Sequence, residues 1–264
     1  MTQLTVRKPD FSFASDIPLI PDLEDINYSS LSFATSIIAP HIERYIIRSM
    51  RKALQAIDNP SLREDIKAFA SQEASHLHQH DKMNKTLRQK LSPEAQKNLA
   101  QAEDDLSSDY NRFSKSKSLK FNLAYAEGFE SATCALSLWA FEHQTFKTLE
   151  SRWQSLLEWH LAEEIEHRTV AFDAFHALGG QYSYRLLWGS YAQLHLVRYL
   201  LRFAQCYKQT ITPPIGNKNI LKQHRWSLIR KIAKTVLPGY SPHNLEIDKR
   251  INDTLAKYSQ LQKT

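Results

Sequence analysis

The chain has 264 residues, 42% of them apolar, with 34 Lys and Arg against 28 Asp and Glu for a formal charge of +6. That length buries a sizeable core in one large domain, or a domain with an extension. Two cysteines, Cys134 and Cys206, exclude a disulfide framework and read as small core residues in a reducing cytosol. The first residues lack an apolar signal core, and no run of about 18 apolar residues is free of charge. A cytoplasmic location is therefore expected.

Only six glycines occur, and 3.6-residue periodicity runs almost end to end, so the expected fold class is all-α. Residues 1–38 are rich in Pro and Asp and read as an irregular lead-in. The spacing predicts a first helix from about Pro40 to Ile57, stopped by Asp58-Asn59-Pro60, and a second from Ser61 to about Lys90. Ser92-Pro93-Glu94 opens a polar helical connector expected to fray near Ser107. A third helix is predicted over about Ser116 to Leu149. A fourth runs over about Ser151 to Leu178, capped by Gly179-Gly180. A fifth, aromatic helix covers Tyr182 to about Tyr207. Thr212 to Gly216 reads as a linker, Ile220–Val236 as a short basic helix, and the remainder as a loosely ordered tail. The domain expectation is a lead-in over 1–38, a helical bundle over 39–210 and a basic helical extension over 211–264.

Charge divides along the chain. Residues 181–264 carry 14 Lys and Arg against 3 Asp and Glu, a balance of +11, leaving 20 against 25, or −5, for residues 1–180. The acidic part holds two Glu-x-x-His segments, Glu73-Ala74-Ser75-His76 and Glu164-Ile165-Glu166-His167. This spacing puts an oxygen and a nitrogen ligand on one helix face. Two such helices, joined by a single Glu from each of two others, build the dinuclear site of ferritin-like four-helix bundles. Glu73 shares its face with Leu62, Ile66, Phe69, Ala70 and Leu87. His160, Glu164 and His167 share theirs with Trp153, Leu156, Leu157 and Ala171. A solvated helix face would not be apolar on both sides of these groups, and an unpaired carboxylate there would be costly. Glu43 lies on the face of Ile47, Met50 and Leu54, and Glu130 on that of Leu123, Ala126 and Cys134. Each single Glu alone fits a salt bridge as well as a metal. Glu127, about 60° from Glu130, competes with it, and Glu163 competes with Glu164. His80 and His160 are further histidines that either bind metal or hydrogen-bond a ligand. The mixed imidazole and carboxylate set selects iron, manganese or zinc.

These residues also resemble a known family. Arg7-Lys8-Pro9-Asp10-Phe11, Glu43-Arg44-Tyr45, Gln72-Glu73-x-x-His76-x-x-x-His80 and Trp159-His160-x-x-x-Glu164-Ile165-Glu166-His167 are similar to bacterial proteins labelled predicted metal-dependent hydrolases. The resemblance spans roughly residues 7–245. The His160, Glu164, His167 pattern is also similar to di-iron arylamine N-oxygenases, which implies the ligand set Glu43, Glu73, His76, Glu130, His160, Glu164 and His167. That similarity is confined to the ligand pattern and does not imply an arylamine substrate. The chain departs from the family at Glu130-Ser131-Ala132-Thr133, where Glu-His before Phe-Thr is expected.

The leading expectation is a two-iron enzyme that uses O₂ and an electron donor to oxidise a small, apolar organic substrate. The alternatives are manganese or zinc at the same site, a metal-dependent hydrolase activating water, and non-catalytic metal binding or storage. No nucleic-acid motif occurs. Peripheral membrane contact through 220–236 and a homodimer across the aromatic helix complete the partner expectations; for 220–236 a packed surface helix is the competing reading, and it has the stronger prior.

Overall fold

The computed structural model describes residues 4–212 and 216–260, and no strand occurs among them; the fold is all-α. The helices are α1 Ile26–Ala53, α2 Pro60–Arg88, α3 Pro93–Ser116, α4 Leu119–His143, α5 Ser151–Glu166, α6 Val170–Ala177, α7 Tyr182–Lys208, α8 Ile220–Gln223, α9 Arg225–Thr235 and α10 Lys249–Gln260. α1 packs along α2, α4 packs along α5 and α6, and α2 meets α5 and α6. α7 lies against α1, α3 and α4, α9 covers α4, and α10 covers α5.

α1 begins at Ile26 rather than near Pro40, so residues 26–38 are helical and not part of an irregular lead-in. Asp25 caps it, accepting from Tyr28 N at 2.9 Å, and Phe33, Ala34 and Ile37 bury the first turns completely. Pro40 sits inside the helix. Proline has no N–H for the carbonyl four residues earlier, which normally breaks a helix. Here that carbonyl, Ser36 O, accepts from Asn84 Nδ2 of α2 at 2.7 Å, so the vacancy is filled from outside.

Four other segments differ from expectation. α3 continues through Ser107 to Ser116, because Leu99, Ala102, Leu106, Tyr110 and Phe113 bury one stripe of an otherwise polar helix. α4 stops at His143, where Gln144 takes a left-handed conformation (φ 50°) and a 3₁₀ turn covers Thr145–Thr148. The predicted fourth helix is broken at His167–Thr169 into α5 and α6. Arg168 Nη1 takes the Ile165 carbonyl at 2.8 Å and its Nε takes Pro242 O at 3.0 Å, competing for a bond the helix would use to continue. The C-terminal tail is ordered as α10, which buries Ile251, Leu255 and Tyr258. Tyr258 Oη donates to Ser155 O of α5 at 2.9 Å. Of the predicted 212–216 linker, residues 213–215 lie outside the described residues.

Both cysteines are buried and free, and burial pushes the Cys134 thiol up to about 12. Among the described residues no helix is long and apolar enough to cross a membrane.

α4 and α7 cross where Gly128 meets Gly189. A Cβ on Gly128 would fall into the Gly189 backbone, whereas one on Gly189 would make contacts no closer than 3.4 Å. Gly128→Ala should therefore cost about 2 kcal/mol of stability by overpacking, and Gly189→Ala much less. Urea unfolding of both variants checks the asymmetry; equal losses would contradict the backbone crossing.

Candidate metal centre

α1, α2, α4 and α5 each send a carboxylate or imidazole into one buried space. Glu43, Glu73, His76, Glu130, Glu164 and His167 are at most 3% exposed, and His160 is 6% exposed. All seven expected ligands come together. Three overlapping groups have ligand atoms within 4.8 Å of one another: Glu43, His76 and His160; Glu73, His76 and Glu164; Glu130, Glu164 and His167. His76 and Glu164 each belong to two groups. His160 Nε2 lies 3.0 Å from Glu164 Oε1 and 3.6 Å from Glu43 Oε1. His167 Nδ1 lies 3.3 Å from Glu73 Oε1, and its Nε2 lies 3.5 Å from Glu164 Oε1 and 3.8 Å from Glu130 Oε2. The break after Glu166 leaves His167 as the last turn's cap, with its ring still in the cluster.

Most of these atoms have no hydrogen-bond partner. Both oxygens of Glu43, Glu73 and Glu130, one of Glu164, Nδ1 of His76 and both nitrogens of His167 are buried and unsatisfied. Native proteins pair such atoms almost without exception, since each orphan costs on the order of 1–3 kcal/mol and more when charged. Divalent cations would satisfy them together, so the residues present fit a pair of metal ions.

A second layer orients the ligands. His76 Nε2 donates to Glu163 Oε2 at 2.9 Å, turning Nδ1 toward Glu73 and Glu164. Glu163 is in turn held by Arg7 Nη1 at 3.0 Å, and Arg7 also forks onto Glu166 at 2.7 and 3.1 Å. Glu163 thus supports His76, and Glu164 is the carboxylate that faces the cluster. This carboxylate–histidine arrangement fixes ring orientation and raises ligand basicity.

His160 is oriented by a longer chain that starts at Pro40. Because Ser36 O accepts from Asn84 Nδ2, the Asn84 amide can only turn Oδ1 toward Ser36 Oγ, which donates to it at 2.7 Å. Ser36 Oγ must then accept from His80 Nδ1, 2.9 Å away, so His80 Nε2 is a bare acceptor. It lies 2.7 Å from His160 Nδ1, which must carry the proton. The Nε2 lone pair of His160 consequently faces Glu164 Oε1 at 3.0 Å. A cation between two acceptors in that position would relieve their repulsion. His80, open as ligand or supporter in the sequence, contacts His160 and belongs to none of the three groups. Asn84→Ala should leave the fold intact but weaken metal affinity roughly 10–100-fold, the usual effect of losing an orienting partner. A chelator-competition titration against the unaltered protein checks it, and unchanged affinity would contradict the relay.

Glu127 does not join the cluster. Arg185 Nη1 donates to its Oε1 at 3.1 Å, and Ser131 Oγ donates to the same oxygen at 2.9 Å. Of the two competing carboxylates, Glu130 is the one whose oxygen lies in the cluster. Arg7, Ser36 and Asn84 carry no ligand pattern in the sequence; only contact across 44 to 156 positions of sequence identifies them. Arg7 in the family-like N-terminal run was the one available hint.

Burial, and then repulsion from Glu73, pushes Glu43 well above the ordinary carboxylate range, and burial with Glu164's charge does the same to Glu130. Burial also opposes the charged form of Glu164, but His167 and His160 outweigh it and hold Glu164 well below that range. Burial lowers His160 and His80, keeping both neutral as the relay requires. For His76, burial acts downward, yet the hydrogen bond to Glu163 and the nearby Glu73 carboxylate raise it well above its usual value.

A cavity of about 40 Å³ reaches Glu43, His160 and Glu164, walled by Ile38, Ile42, Phe129 and Leu196 among others. It is large enough for a water or a similarly small molecule.

No curated protein and no solved structure matches the chain significantly. One family model does match, over residues 5–246, and its description is predicted metal-dependent hydrolase. With a buried Glu/His cluster at its centre and a match over nearly its whole length, the chain belongs to the predicted metal-dependent hydrolase family.

Proposed function

We propose that the protein is a hydrolase whose two metal ions are held by Glu43, Glu73, His76, Glu130, His160, Glu164 and His167. The observation that carries this reading is the pair of facing acceptors, His160 Nε2 and Glu164 Oε1 at 3.0 Å, amid unsatisfied buried carboxylates. Two such ions supply Lewis acidity and a water acidic enough to ionise near neutral pH. The chain's own groups do the rest. Glu164, shared between two ligand groups, would help hold both ions. Glu43 lines the cavity and, with its raised pKa, can hold a proton at a carboxylate oxygen for a leaving group. The apolar walls exclude bulk water, and Glu163 and His80 keep the imidazoles aimed. The family description supports hydrolysis over oxidation.

A second reading, oxidation by O₂ with two irons, is favoured by the apolar lining of the cavity, which suits a small non-polar molecule better than a charged one. The test is turnover of chromogenic esters, amides and phosphodiesters by iron-, manganese- and zinc-loaded protein without O₂ or reductant. Metal-dependent cleavage under those conditions supports the hydrolase. Inertness to the whole panel, with oxygen uptake by the iron form once reductant is added, supports the oxidase reading.

A further inference from the structure

We propose that the outer face of α9 docks on an anionic lipid bilayer. The inference does not depend on the metal centre. α9 packs Leu228 inward on the core but leaves Trp226 at 66% and Ile229 at 50% exposure, with Leu237 just beyond its end at 53%. Trp226, Ile229 and Ala233 recur at the spacing of one helix face. Lys222, Arg225, Arg230 and Lys234 are exposed around them. From Ile220 to Leu237 there is no Asp or Glu. Among the described residues only Lys231 of this segment finds an acid, Glu142 of α4 at 2.6 Å.

Apolar anchors ringed by cations identify the occupant by charge complementarity. A lipid surface rich in acidic headgroups takes the Lys and Arg ends, while the indole of Trp226 sits at the headgroup level. A second copy docking through the same face would set like charges against one another. The platform is fixed: Trp139 Nε1 of α4 donates to His224 O at 3.2 Å, and the His143 and His224 rings stack at 3.9 Å.

The test is flotation of the full chain with vesicles of phosphatidylcholine alone and of phosphatidylcholine with phosphatidylglycerol. Binding to the anionic vesicles only, lost in high salt, is expected. Arg225→Ser with Arg230→Ser should weaken it roughly 30-fold, since each basic residue near such a surface contributes about a factor of five. Trp226→Ser with Ile229→Ser should weaken it as well; both side chains are exposed, so folding is spared. Absence of binding, equal binding to both vesicles, or a double-arginine variant that binds as well as the parent would overturn the proposal. So would a stable dimer that Trp226→Ser with Ile229→Ser dissociates.

Discussion

Glu164→Ala should abolish binding of the metal pair. Glu164 belongs to two of the three ligand groups, and its Oε1 lies 3.0 Å from His160 Nε2 and 3.5 Å from His167 Nε2. Removing it takes away the oxygen shared by His160 and His167. A surviving single ion would have to be held by the Glu43, His76 and His160 group alone. Affinity should fall by at least about 100-fold, more than the loss of an orienting partner. Calorimetric titration of metal-free protein with manganese or zinc checks this. Glu163→Gln is the informative companion, since Glu163 hydrogen-bonds His76 without facing the cluster and should weaken binding without changing stoichiometry. If Glu163→Gln lost both metals while Glu164→Ala kept them, the roles of the two neighbours would be reversed.

Stripping the metal should destabilise the protein strongly, and more so as pH rises. Each ion present at a hundredfold over its dissociation constant adds about 2.7 kcal/mol. For a chain this long, two ions correspond to roughly 10–20 °C in melting temperature. The pH dependence of the metal-free form follows from the folded-state shifts. Glu43 and Glu130 are raised, so the folded state binds protons that the unfolded state has released, and stability falls as pH climbs above the ordinary carboxylate range. His76 and His167 are also raised, and their contributions, present below about pH 6.5, are lost as pH rises through the folded values. Glu164, His160 and His80 are lowered and lose their contributions only toward acid. Above about pH 6.5 every remaining trend is therefore downward. Metal replaces the protons, so affinity should rise over the same range while the loaded protein melts with little pH dependence. Thermal melts of stripped and loaded protein across neutral pH decide this; a metal-free form that gains stability with pH would contradict the shifts.

The site was legible from sequence because helices are periodic. Glu73, His76, Glu164 and His167 sit on apolar stripes at fixed spacing, and that pattern survives without coordinates. Single ligands were harder. Glu130 and Glu127 are one turn apart on an almost wholly buried helix, and the Arg185 and Ser131 partners of Glu127 separate them. The helix starts and stops that sequence missed have tertiary causes. Pro40 would end a helix anywhere that no Asn84 waits for the freed carbonyl, and Arg168 ends α5 by reaching Pro242, more than 70 residues on. The same long-range contacts that hid these boundaries build the relay to His160.

Metal content of the purified full chain, by mass spectrometry on protein produced without added zinc or nickel, decides whether the buried cluster holds ions. About two transition-metal ions per chain are expected, retained through gel filtration. Protein that is folded and carries no metal, and takes up none when iron, manganese or zinc is supplied, would contradict that expectation.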